Sequence, residues 1–124
     1  MGAFDRPKSS GRRAARLRRD GITAHASYRF NILTTRGQIR EYWPPTPYVT
    51  FYEAMPDKRG EVWAGELHGG RMLRFNPQAD RWTEYVLPEP YSHDRRTWID
   101  ESTTPVTVWY VDHNSYLVRV QARE

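Results

Sequence analysis

GEVWAGELHGGRMLRFNPQADRWTEYVLPEP, residues 60–90, decides the fold. Three short segments, 62–65, 72–75 and 82–87, are rich in Val, Leu, Phe, Trp and Tyr, which suit a pleated, half-buried surface. Between them lie His68-Gly69-Gly70 and Asn76-Pro77-Gln78-Ala79-Asp80. Both are turn sequences: Gly frees φ, Pro presets it, and Asn or Asp side chains bond the backbone just ahead. Strand, turn, strand, turn, strand reads as an antiparallel β-meander.

Working outward, parts of this unit recur on both sides. Tyr28-Arg29-Phe30-Asn31 echoes Leu73-Arg74-Phe75-Asn76, and Val118-Arg119-Val120 repeats the apolar-Arg-apolar triplet, so three arginines stand at a constant spacing of 45 residues. Ile39-Arg40-Glu41-Tyr42, followed by Pro45, Pro47 and Tyr48, matches Trp82-Thr83-Glu84-Tyr85 followed by Pro88, Pro90 and Tyr91. Val62-Trp63 returns as Val108-Trp109. A repeat near 45 residues made of four short strands is the period of a β-propeller blade.

That period assigns a full blade to residues 49–87, with strands over about 49–55, 61–66, 71–76 and 81–87. Only the last two strands of a preceding blade are expected upstream, within 27–43, and an incomplete last blade is expected over 97–121. The expected fold is all-β: a partial β-propeller of about two four-stranded antiparallel blades across residues 21–124, after a disordered basic tail at 1–20. Propellers typically close with about 4–8 blades, so a little over two implies self-association, a partner that supplies the missing blades, or a truncated propeller.

At 124 residues the chain is one domain's worth, and a mean hydropathy of -0.87 leaves the core thin. Its apolar content is weighted toward five Trp and eight Tyr, which read as blade packing at Trp43, Trp63, Trp82, Trp98 and Trp109. The absence of Cys excludes disulfides, a thiol nucleophile and Cys-ligated metal, and four His without a His-x-His motif argue against zinc. No apolar run approaches the roughly 20 residues of a membrane-spanning helix, and residues 1–20 lack the apolar stretch of a secretory signal. The expectation is a chain without a membrane span and, as written, without a signal peptide, whose compartment is otherwise open. Of the net charge of +4, residues 1–20 carry seven basic and two acidic side chains, leaving the remainder near neutral. Nucleic-acid contact is therefore expected only as non-specific phosphate binding by residues 6–19.

The blade sequence resembles a known family. Val62-Trp63-Ala64-Gly65-Glu66, Arg71-Met72-Leu73-Arg74-Phe75-Asn76-Pro77 and Trp82-Thr83-Glu84-Tyr85 with Leu87-Pro88 are similar to the repeats of the streptogramin lyase (virginiamycin B lyase)-like propellers, specifically their C-terminal blades. The resemblance covers residues 28–124, with Asn76 standing where the family's turn has Asp. It implies a bacterial relative of an enzyme that opens a cyclic depsipeptide by metal-assisted elimination, with Mg²⁺ as the implied cofactor. No catalytic set maps residue by residue onto this chain.

Candidate site residues follow from residue type and position. Glu66 and His68 stand two apart at a strand end, so on an extended strand they share a face and suit a Mg²⁺-type site or proton abstraction. His113 is 45 residues from His68, beside Asp112. His93 and Asp94 precede an innermost strand, where propeller loops meet the central channel. The competing reading of all six is ordinary turn and strand-end chemistry. Arg29, Arg74 and Arg119 are expected to pair with Glu41, Glu84 or neighbouring blades. Two function classes stay open: a metal-assisted lyase, and a non-catalytic segment for binding or assembly.

Overall fold

The computed structural model describes residues 21–23, 29–34, 36–88 and 94–123, and every regular element among them is a strand. In chain order these are β1 (Gly21–Thr23), β2 (Phe30–Leu33), β3 (Ile39–Tyr42), β4 (Phe51–Pro56), β5 (Val62–Glu66), β6 (Arg71–Asn76), β7 (Arg81–Val86), β8 (Asp94–Asp100), β9 (Thr107–Asp112) and β10 (Leu117–Gln121). They form three antiparallel meanders, β1-β2-β3, β4-β5-β6-β7 and β8-β9-β10. This is a partial β-propeller whose one four-stranded blade lies between two three-stranded ones. The expected tail, residues 1–20, lies outside the described residues.

The hairpins repeat one geometry. In three of them the residue two before the returning strand has positive φ: Gly37 at 75°, Gly60 at 79° and Ser115 at 71°. Each of these donates its N–H three residues back, Gly37 to Thr34, Gly60 to Asp57 and Ser115 to Asp112, as in a type I turn closed by a left-handed residue. Glycine fills two of these positions because a Cβ is disfavoured there. The innermost strands share a device as well: β4 breaks register against β5 between Phe51 and Ala54, and β8 against β9 between Asp94 and Thr97. Such bulges increase local twist.

Two cores separate the three sheets, and β5 and β6 serve both. Phe30 and Ile32 of β2 pack with Val49, Phe51, Ala54, Val62, Ala64, Leu73 and Phe75, joined by Tyr42 and Trp82. Trp63, Met72 and Leu87 pack on the other side with Val106, Val108, Tyr110 and Ala122. Side chains alternate across a strand, so consecutive residues of VWAGE face opposite neighbours, and β5 is buried throughout. The first core is an aromatic stack, with Phe75 and Trp82 centroids 4.3 Å apart and Phe30 and Phe51 also at 4.3 Å.

Three expectations are corrected. The first sheet has a third strand, since Ile22 pairs with Ile32 across β1 and β2; a three-residue strand offers too little pattern to be seen in sequence. The Arg29–Arg74 match is out of register. Phe30 pairs with Tyr42 and Leu33 with Ile39, just as Met72 pairs with Tyr85 and Phe75 with Trp82, so Ile32 rather than Arg29 occupies the place of Arg74. The Arg74–Arg119 match is in register, because Arg74 lies opposite Trp63 and Arg119 opposite Trp109. Finally, the tryptophans do not all serve as blade packing: Trp63 is buried, Trp82 packs on the first core, and Trp43 and Trp98 are exposed.

Candidate functional site

Strand direction places the candidates on one rim. Glu66 ends β5 and Asp112 ends β9, while Phe51 and Asp94, their register partners, begin the innermost strands β4 and β8. His68 and His113 stand in the turns that follow Glu66 and Asp112 on that rim. Glu66 and Asp112 therefore occupy equivalent places in successive sheets, and β8 lies against β4 and β5. His93 lies outside the described residues.

The structure parts Glu66 from His68. β5 ends at Glu66, the chain turns through 67–69, and His68 is exposed while Glu66 is buried, so the two do not share a strand face. The Glu66 carboxylate receives a hydrogen bond from Arg71 Nη1 at 3.0 Å. A Cβ placed on Gly69 would overlap that carboxylate, so only glycine leaves it this position. Burial raises the Glu66 pKa above the ordinary glutamate value, opposed by the charge and hydrogen bond of Arg71 and, least, by His68; the charge of Glu84 adds to the rise.

Asp112 is also locally engaged: its Oδ1 accepts from the Asn114 backbone N–H at 2.7 Å, an Asx turn within the β9–β10 hairpin. Asp94 and Asp112 are register partners across β8 and β9. Among the described residues, no three His, Asp or Glu side chains form a group fit to hold a metal ion.

The densest polar network lies on the opposite rim and was not singled out in the sequence. Asp57 is buried and accepts from the N–H groups of Arg59 (2.8 Å) and Glu61 (3.0 Å) and from the Trp63 indole at 3.0 Å. Glu61 accepts from Arg74 Nε and from Asn76 Nδ2 at 3.2 Å. The Arg74 guanidinium lies 5.4 Å from the Trp63 ring centre, and Trp63 stacks on Tyr85 at 5.8 Å. Burial alone would lower the Arg74 pKa, but hydrogen bonds and charge from Tyr85 and Glu61 reverse this and raise it. Such a fully bonded set locks one strand register and tethers the tryptophan between sheets. Its sequence signal is Asp57-x-x-Gly60-Glu61-x-Trp63, a turn whose acid sits one hairpin away from an indole.

Of the expected ion pairs, Arg29–Glu41 forms at 3.4 Å on the surface. Arg74 takes Glu61 instead of Glu84, because Arg74 lies opposite Thr83 and Glu84 points to the other face, where it accepts from Thr46.

Three stacked meanders, two of them with the same inner-strand bulge, define a propeller sector, and comparison with solved structures places it. No protein-family model matches the chain, and no curated protein matches it by sequence. A catalytically inactive variant of virginiamycin B lyase from Staphylococcus aureus, crystallised with quinupristin, superposes with a TM-score of 0.57 at 20% identity, over 84% of this chain and 39% of that one. Selenomethionine-substituted virginiamycin B lyase from the same organism gives 0.56 at 20% identity, over 79% and 36%. A streptogramin B lyase structure gives 0.55 at 18% identity, over 77% and 34%. The chain has the fold of these lyase propellers and spans 39% or less of their length.

Proposed function

We propose that this chain is a non-catalytic propeller sector, residues 21–124 behind a basic tail at 1–20, that serves binding or assembly. The observation that carries this reading is the state of the rim carboxylates. Glu66 is committed to Arg71 and Asp112 to its own turn, and no metal-binding group forms among the described residues. A propeller active site gathers residues from several blades around one channel, where preorganised groups act away from water. Three sheets supply one sector of such a wall.

The competing reading, a lyase acting on cyclic depsipeptides with Mg²⁺, is tested directly. Purified chain is incubated with quinupristin and Mg²⁺, and ring opening is followed by mass spectrometry. The expected result is no opening above the rate of buffer, unchanged in His68→Ala. Turnover that disappears in His68→Ala overturns the non-catalytic reading.

A further inference from the structure

The two outer sheets present faces of opposite type. In the second sheet, the face toward the third carries Met55, Trp63, Met72 and Arg74, with Trp63 1% and Met72 0% exposed. Register puts Trp98 in the place of Met55, Trp109 in that of Trp63, Leu117 in that of Met72 and Arg119 in that of Arg74. On the third sheet this same face is bare: Trp98 is 69%, Val111 60% and Leu117 68% exposed. A cleft of about 430 Å³ opens beside it, lined by Met55, Arg96, Trp98, Trp109 and Leu117 among others.

At the other end, the first sheet turns Phe30, Ile32 and Tyr42 toward the second. Its opposite face carries Leu33 and Ile39, 45% and 68% exposed, with Glu41 beside them. Leu33 and Ile39 hold the places of Phe75 and Trp82, the pair that the second sheet buries against its predecessor. Each internal interface in the chain joins a face of the Trp63 type to a face of the Phe75 type.

We infer that a second copy of this chain covers the third sheet, seating its Leu33–Ile39 face on the Trp98–Leu117 face in head-to-tail order. Continuity with the internal interfaces selects both the occupant and the order. Glu61, which neutralises Arg74, is replaced in the third sheet by Thr107, so among the described residues Arg119 has no equivalent carboxylate on its own sheet. Arg96 and Arg119 flank the third sheet's apolar face, and the first sheet's is flanked by Glu41, which is paired with Arg29. Joining two third-sheet faces would pair two faces of the Trp63 type, which neither internal interface does, whereas head-to-tail contact repeats the pairing found inside the chain. A head-to-tail contact is heterologous, so copies close into a ring or extend as a filament.

This inference rests on reading the chain as an assembly sector, but its test is mass rather than turnover, so either can fail without the other. Sedimentation velocity is run on the full chain and on two variants, Leu33→Glu with Ile39→Glu and Trp98→Glu with Leu117→Glu. These side chains are exposed, and matching far-UV circular dichroism verifies that each variant is folded. The wild type is expected above monomer mass, with association in each variant weakened by about a hundredfold, roughly tenfold for each apolar side chain replaced. Mixed in equal amounts, the two variants retain one intact face each and form a one-to-one dimer that grows no further. A monomeric wild type, a mixture that stays monomeric, or assembly that is abolished through one face only overturns the proposal.

Discussion

Trp63 and Trp98 test the architecture most sharply, because they are the same residue type on like-facing positions of adjacent sheets, 1% and 69% exposed. Trp63 donates to Asp57 at 3.0 Å and stacks on Tyr85 at 5.8 Å. Replacing it with Phe keeps an aromatic ring but removes the indole donor, a hydrogen bond to a charged acceptor of about 1.5–3 kcal/mol. Asp57 keeps its two backbone donors, which places Trp63→Phe near the lower end, about 2 kcal/mol. Trp63→Ala adds a cavity between the sheets and costs about 4 kcal/mol, a large share of a total stability of roughly 5–15 kcal/mol. Trp98→Phe, at a surface position, changes stability by no more than about 0.5 kcal/mol. Urea unfolding at low protein concentration, where association through Trp98 contributes least, measures all three. Equal costs for Trp63→Phe and Trp98→Phe would refute the stacking of the third sheet on the second.

Glu66 supports two further predictions. Gly69→Ala forces a Cβ into the space of the Glu66 carboxylate, which must swing aside and weaken its bond to Arg71; the expected loss is about 1 kcal/mol, and a double-mutant cycle should show it largely abolished in a Glu66→Ala background. The raised pKa of Glu66 means the folded state binds its proton more tightly than the unfolded state, so this group's contribution falls as pH rises from the ordinary glutamate value through the raised one. The stability of Glu66→Gln relative to wild type should therefore climb across that window and level off above it, as measured by thermal melts from acid to neutral pH; a flat difference would contradict the burial argument.

Strands, turns and blade period were legible in the sequence because they rest on local chemistry. VWAGE, RMLRFN and RWTEYV are β-formers bounded by Gly, Pro, Asn and Asp, and the hairpin residues that need positive φ include Gly37 and Gly60. Local pattern did not determine which face each side chain meets. A one-residue shift in pairing moves a side chain to the other side of a sheet, and so Arg74 meets Glu61 and Trp63 instead of Glu84. The Arg29–Arg74 echo shows the same limit, since matching triplets occur out of register and only backbone pairing identifies Ile32 as the true counterpart. Glu66 and His68 share a face only if the strand continues past Glu66, and the turn at 67–69 ends it. Trp63 and Trp109 look alike in sequence, yet the first lies between two sheets and the second on the last one, so stacking alone decides which is buried.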